Sequence, residues 1–156
     1  MPKSHRAVFM ARALELAQKC LLSGDVPIGA VVVSNGKIIG EGYNTRQRDS
    51  DISGHAEVIA MKMAAETLGT WKLEGCDLYV TLEPCIMCAG AIVSARIETL
   101  IYGAADEKAG GVRSLYAICE DPRLNHRVKV LTGIKSGECS ELITGFFRNI
   151  RELKSS

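Results

Sequence analysis

The sequence has no long hydrophobic run and very little net charge. No window approaches the roughly 20 consecutive apolar residues that a membrane-spanning helix needs. The opening segment, MPKSHRAVFMARALELAQ, breaks its apolar positions with Arg12 and Glu15 and so lacks the continuous stretch of a signal peptide. We therefore expect a cytoplasmic protein with no membrane segment. Because the formal net charge is only +1, any interaction with a nucleic acid has to come from a local patch.

Cysteine and histidine are also sparse, with six cysteines and three histidines in 156 residues. This is not the cysteine density of a secreted disulfide scaffold, and in a reducing compartment closely spaced cysteines are more often metal ligands or redox groups. Cys85 and Cys88, in YVTLEPCIMCAG, form such a close pair. A disulfide and a thioredoxin-like redox motif are the alternatives, although a chain that begins with a helix does not favour the thioredoxin fold.

Four helices follow from the spacing of apolar residues. The first is predicted over 7–22 and the second over 55–68. The third is predicted to begin at Pro84, a residue suited to the first helical position, and to reach about residue 95. The closing helix carries an apolar stripe from Leu142 to Leu153.

Five strands complete the predicted fold. The segment IGAVVVSNGKIIGEGY predicts a β-hairpin that turns at Asn35-Gly36, and CDLYVTL, TLIYGA and HRVKVLTG predict three more strands. The strand–helix–strand order after residue 76 predicts a parallel pair. We therefore expect an α/β fold in which one domain, residues 1–156, contains a five-stranded mixed sheet with helices on both faces.

The cysteine pair favours a metal site. A helix beginning at Pro84 places Cys85 and Cys88 about one turn apart, near backbone N–H groups that favour thiolate. Two cysteines supply only two of the four ligands of zinc, and His55 is a candidate for the third. Glu57 lies two residues after His55. Residues two apart on a helix point to nearly opposite sides, so the two side chains are not expected to bind the same metal as equal ligands. A role as a base beside the metal fits Glu57 better.

A structural zinc with four protein ligands is the alternative for this pair. In that case Cys119 or Cys139 would supply the remaining ligand.

The motif HAE at 55–57, followed by LEPCIMC at 82–88, resembles the zinc-dependent cytidine and adenosine deaminase superfamily. The resemblance covers nearly the whole chain. It implies a three-layer α/β/α fold of the cytidine-deaminase type and one Zn²⁺ per subunit, held by His55, Cys85 and Cys88 with water as the fourth ligand. It also implies that Glu57 is the catalytic residue that moves protons.

Within this superfamily, the chain most closely resembles bacterial tRNA-specific adenosine deaminases, which convert adenosine to inosine at wobble position 34 of an anticodon. The resemblance lies in GDVPIGAVVV, EGYN, GHAEVIAM, LEGCDLYVTLEPCIMCAGAIV, YGAADEKAGGVRSLY, LNHRV and GFFRNIRELK. It implies a tRNA anticodon stem-loop as the partner and a homodimer as the assembly. The substrate contacts expected on this basis are Asn44, Pro27, Ile28, Gly29, Ala56, Asp106, Phe147 and Arg148.

The residues themselves leave other interpretations open. Asn44 could turn the chain after the hairpin, and Asp106 could be an ordinary turn residue. Arg148 belongs to a basic row on the closing helix that either faces solvent or contacts RNA, and Phe147 could stack on splayed bases. The enzyme alternative is a deaminase of free bases, nucleosides or nucleotides with the same zinc chemistry. The non-enzyme alternative is a zinc-stabilised RNA-binding module.

Overall fold

The computed structural model describes residues 3–155, with side chains from residue 5 onward. The strands are β1 (Gly29–Ser34), β2 (Lys37–Tyr43), β3 (Asp77–Leu82), β4 (Thr99–Ala104) and β5 (Lys129–Thr132). The α-helices are α1 (Lys3–Gln18), α2 (Arg46–Asp49), α3 (Ala56–Leu68), α4 (Ile86–Ser94) and α5 (Ser136–Ser155). Two 3₁₀ turns, Lys19–Leu22 and Ile118–Glu120, complete the elements.

The five strands form one mixed sheet in the order β2-β1-β3-β4-β5. Strand β1 pairs antiparallel with β2 and with β3, whereas β3 with β4 and β4 with β5 are parallel. The β1–β2 turn uses Asn35 at φ 50° and Gly36 at φ 77°, the left-handed backbone that a tight hairpin requires. The predicted five-stranded mixed sheet and its parallel pair are confirmed.

Helices cover both faces of the sheet, as predicted. Helices α3 and α4 pack on one face, where their buried residues join buried side chains from β1, β3, β4 and β5 and the partly buried Ile39 of β2. Helices α1 and α5 pack on the other face against the alternate residues of the strands. The alternation follows from the two-residue period of a β-strand, which sends neighbouring side chains to opposite faces. The chain therefore has the three-layer α/β/α architecture.

The helix boundaries differ from the predictions in ways that matter for the metal site. Helix α1 begins at Lys3 rather than residue 7 and ends in a 3₁₀ turn. Pro84 does not open α4: the helix begins at Ile86, and Cys85 precedes it with an extended backbone at φ −73° and ψ 178°. An isolated β-bridge between Cys85 and Gly110 is consistent with that extended conformation. His55 likewise precedes α3 in an extended conformation, at φ −92° and ψ 143°.

Two glycines in β2 bring α3 unusually close to the sheet. A Cβ on Gly40 would lie 2.1 Å from the backbone oxygen of Ala60, and a Cβ on Gly42 would lie 2.4 Å from that of Ala56. Such distances are far below van der Waals contact, so only glycine allows this approach. The start of α3, and His55 immediately before it, is therefore held at a fixed height above the sheet.

None of the helices in residues 3–155 combines the length and the apolar character needed to cross a membrane.

Candidate metal and catalytic centre

His55, Cys85 and Cys88 meet at one point although 30 residues separate the histidine from the first cysteine. The Nδ1 atom of His55 lies 3.7 Å from Sγ of Cys85 and 3.5 Å from Sγ of Cys88. The three ligand atoms all lie within 4.8 Å of one another. A tetrahedral ion with ordinary zinc–nitrogen and zinc–sulfur bonds would hold these atoms about 3.6 Å apart. The observed spacing therefore fits a tetrahedral metal.

Two helix starts deliver these three side chains. His55 and Cys85 occupy the residues immediately before α3 and α4, and Cys88 lies in the first turn of α4. Backbone N–H groups in the first turn of a helix lack partners within the helix, so this end carries a partial positive charge. That field favours thiolate over thiol, which is the form of cysteine that binds metals.

The ligands perturb one another strongly in the protein alone. Hydrogen bonding with Cys88 and with His55 outweighs burial and lowers the pKa of the Cys85 thiol to about 3. The same interaction with Cys85, together with burial, raises the pKa of Cys88, and hydrogen bonding to Cys85 raises the pKa of His55. The two sulfurs and the imidazole are thus close enough to affect one another's charge, and a divalent cation bound among them would favour thiolate at both cysteines.

The structure does not support the structural-zinc and disulfide alternatives. Within residues 3–155 the metal-binding group contains no fourth His, Cys, Asp or Glu. Cys119 is buried in the core beneath α3 and α4, whereas Cys139 is buried in the core on the opposite face of the sheet. All six cysteines are free. Three protein ligands are the arrangement typical of a catalytic rather than a structural zinc.

Glu57 lies next to the ligand group without being part of it. Its side chain is 4% exposed, and burial raises the pKa of its carboxyl to about 7, partly opposed by a hydrogen bond from its own backbone N–H. The carboxyl also interacts with Cys88. A buried carboxyl with a pKa near neutrality can both accept and release a proton, which general acid–base catalysis requires.

Asn44 and Asp106 both make structural hydrogen bonds. The Asn44 amide donates to the Val26 carbonyl at 3.1 Å and accepts from the backbone N–H of Arg46 at 3.0 Å.

The Asp106 carboxylate accepts from two backbone N–H groups, those of Lys108 and Ala109, at 3.2 Å each. The turn-forming interpretation therefore holds for both residues, and their contacts with a substrate stay predictions.

The remaining predicted contacts fall into two groups. Pro27, Gly29 and Ala56 are buried, and Ile28 packs partly buried against the core that contains Ala56. Gly29 has a structural reason to be glycine, because a Cβ there would lie 1.9 Å from the backbone oxygen of Ala13 in α1.

Phe147 and Arg148 form the second group, exposed on α5. The Phe147 ring makes an edge contact with Phe146, with centroids 5.3 Å apart.

Two buried carboxylates were missed by the sequence reasoning. Asp25 accepts hydrogen bonds from the backbone N–H groups of Gln47 and Arg48 and from the Ser23 hydroxyl. Glu83, directly after β3, accepts hydrogen bonds from the segment 106–114. The positions of these residues in the sequence could have indicated their burial. Each acidic residue lies beside an apolar strand segment, where a buried charge without hydrogen-bond partners would be costly.

Comparison with known proteins identifies the family. Residues 3–151 match the family described as MafB19-like deaminase. A tRNA-specific adenosine deaminase from Streptococcus pyogenes serotype M1 is 46% identical over 156 residues, which is 99% of this chain and 91% of the relative. The chain belongs to the tRNA-specific adenosine deaminase family.

Solved structures agree with membership of the tRNA-specific adenosine deaminase family. A structure from studies of A-to-I editing by tRNA:A34 deaminases at the wobble position of transfer RNA superposes with a TM-score of 0.83 and 43% identity, over 86% of this chain and 97% of the other. A guanine deaminase from Bacillus subtilis is 42% identical with a TM-score of 0.59, over 63% of each chain.

We expect Cys85→Ser to reduce the metal bound per chain at least about tenfold, because the substitution removes one of only three protein ligands. Elemental analysis of the purified protein measures this ratio. Cys119→Ala is the matched control, since Cys119 lies in the core away from the ligand group. Loss of metal in the control would restore the interpretation with four protein ligands.

Proposed function

We propose that this protein is a zinc-dependent hydrolase that deaminates adenosine to inosine at wobble position 34 of a tRNA anticodon loop. The observation that carries the proposal is the convergence of His55, Cys85 and Cys88 with a buried carboxyl, Glu57, beside them. Family membership supplies the substrate class, because the relatives are tRNA-specific adenosine deaminases. We assign the chemistry to one domain, residues 1–156, working in the cytoplasm.

Zinc is the metal that suits these donors. Two thiolates and one imidazole form a soft, tetrahedral set, which favours Zn²⁺ over the oxygen-seeking Mg²⁺ and Ca²⁺. When bound, zinc supplies Lewis acidity that lowers the pKa of a coordinated water towards neutrality. We propose one Zn²⁺ per subunit, held by the three ligands.

Glu57 handles the protons of the reaction. Its carboxylate accepts a proton from the attacking water as the new C6–O bond forms, and it delivers that proton to the adjacent ring nitrogen. The Glu57 carboxylate then takes the proton of the new C6 hydroxyl and gives it to the exocyclic nitrogen, the C6–N bond breaks, a C6 carbonyl forms and ammonia leaves. One carboxyl close to both positions can perform these transfers. The burial of Glu57 prevents bulk water from competing, and its pKa of about 7 suits both acceptance and release.

We propose that the base, its ribose and the neighbouring nucleotides are bound by the substrate contacts expected from the sequence. Asn44 has one N–H and one lone pair beyond its structural hydrogen bonds, enough to bind a purine edge. Asp106 retains its second oxygen for the ribose or the backbone. Phe147 and Arg148 are exposed on α5; in this proposal the Phe147 ring stacks on a splayed base and the Arg148 guanidinium contacts a phosphate. Pro27, Ile28, Gly29 and Ala56 shape the pocket.

We expect Glu57→Gln to lower kcat at least about 100-fold, because an amide cannot accept or release the proton in general acid–base catalysis. Metal content should be unchanged, since Glu57 is not among the ligands. Single-turnover inosine formation and elemental analysis measure the two effects. Glu66→Gln, an exposed position on the same helix, is the control and should retain activity. Substantial turnover by Glu57→Gln would reject the proton-transfer role.

A substrate panel tests the proposed activity directly. We expect inosine and ammonia from an anticodon stem-loop with A34 and no product from the matched A34→G stem-loop. Free adenosine, cytidine and guanine should react at least 100-fold more slowly in kcat/KM, because they lack the RNA contacts that orient the base. Preference for guanine would favour a free-base deaminase, as in the guanine deaminase relative. Tight RNA binding without any product would favour an RNA-binding module.

We also propose that the protein is a homodimer. Ile86 and Met87, in the first turn of α4, are 50% and 40% exposed. Leu115 and Tyr116 are more than half exposed in the segment that follows Gly111, where a Cβ would lie only 2.9 Å from the backbone of Ile86. An exposed apolar surface of this kind commonly marks a protein interface.

Sedimentation equilibrium tests the homodimer. We expect a dimer for the unchanged protein. In Met87→Lys the dimer dissociation constant should rise at least about tenfold, because the substitution buries a charge in the interface. Leu22→Lys, at a strongly exposed position after α1, is the control and should leave the dimer intact. A monomer for the unchanged protein at micromolar concentration would contradict the proposal.

A further inference from the structure

Glu83 is a buried carboxylate whose place in the chain is unusual. It lies between the end of β3 and the metal ligands Cys85 and Cys88, and its side chain is only 2% exposed. The ion pairs found within residues 3–155 do not include it. Burying a carboxylate without a cation is costly unless hydrogen bonds replace its water, so its partners need to be identified.

The partners all come from the segment 106–114. One carboxylate oxygen accepts from the backbone N–H of Asp106 at 3.0 Å and from the Ser114 hydroxyl. The other oxygen accepts from the backbone N–H groups of Val112 at 3.2 Å, Arg113 at 2.9 Å and Ser114 at 3.0 Å. Burial alone would raise the pKa of Glu83, but hydrogen bonds from Ser114, Arg113 and Asp106 lower it below its ordinary value.

The segment folded around Glu83 also contacts the metal ligands. A Cβ on Gly110 would lie 2.2 Å from a carboxylate oxygen of Glu83, so the backbone closes directly over this side chain. Gly110 forms the β-bridge with Cys85. Gly111 donates its backbone N–H to the Pro84 carbonyl at 2.8 Å. A single carboxylate thus fixes a loop that touches a metal ligand on one side and begins at Asp106 on the other.

We infer that Glu83 is a positioning residue that sets the distance between the substrate-contacting loop at Asp106 and the metal ligands at Cys85 and Cys88. This inference rests on the proposed function, in which Asp106 contacts the ribose or the RNA backbone. Glu83 itself touches neither the metal nor the substrate. Its carboxylate acts as a template onto which four backbone N–H groups and one hydroxyl converge.

Only a carboxylate satisfies this arrangement. Glutamine has the same shape but keeps one acceptor oxygen, and its NH₂ group would face N–H donors. Several buried N–H groups would then lose their partner, which costs more than an ordinary hydrogen bond contributes. We therefore expect the loop to move away from the ligands in Glu83→Gln while the ligands stay in place.

The test combines kinetics on the anticodon stem-loop with hydrogen exchange on the zinc-loaded protein. In Glu83→Gln we expect KM to rise roughly tenfold and kcat to change less, because the loss of several hydrogen bonds weakens a substrate contact. Exchange at the amides of Asp106, Val112, Arg113 and Ser114 should accelerate at least tenfold. Metal content and exchange in α1 should be unchanged. Glu83→Asp keeps both acceptor oxygens, so its KM should lie between that of Glu83→Gln and that of the unchanged protein.

Two further variants make the outcomes decisive. Glu74→Gln removes an exposed carboxylate and should change neither KM nor exchange. Ser114→Ala removes a single hydrogen bond to Glu83 and should accelerate exchange in the same segment, so it carries the test if Glu83→Gln does not fold. Unchanged exchange and KM in Glu83→Gln, or loss of metal from it, would overturn the inference. The exchange results decide the role of Glu83 even if the stem-loop is not a substrate.

Discussion

The structure depends on the meeting of two helix starts at one end of the sheet. His55 before α3 and Cys85 before α4 both have extended backbones, and each projects a ligand towards the other. A single side chain out of register would break the set of distances near 3.6 Å that a tetrahedral ion needs. The layers of helices, the glycines beneath α3 and the bridge to Gly110 all serve to hold these two short segments in place.

The same geometry separates the metal-binding group from the buried carboxyl. His55, Cys85 and Cys88 lie close enough together to bind an ion, while Glu57, the second residue of α3, is buried beside them without joining them. The sequence argument separated Glu57 from the ligands by placing both His55 and Glu57 on one helix. The conclusion agrees with the structure but the reason differs, because His55 lies outside the helix and its extended backbone, rather than helical periodicity, sets its direction.

Much of the fold was predictable because it depends on local patterns. Alternating apolar residues, the Asn35-Gly36 turn and the helical spacing of apolar residues predicted the sheet and its two layers of helices. The predicted start of α4 at Pro84 was wrong. The fixed φ angle of proline suits a helix, but Cys85 forms a β-bridge with Gly110 that requires an extended chain, so the helix begins at Ile86. The backbone hydrogen bonds to Asp25 and Glu83 could not be predicted, because their N–H donors lie more than 20 residues away and only the folded chain brings them together.

The close contact between β2 and α3 has a consequence for redesign. Gly40 and Gly42 contact the backbone of α3 directly and have no side chain. A smaller residue therefore does not exist for either position, and any larger residue would collide with the helix backbone. The distance between β2 and the start of α3 is therefore set by the backbone, and a change in the substrate pocket has to come from other residues. A redesign for another substrate should therefore keep Gly40 and Gly42 and vary residues that make no such backbone contact with α3.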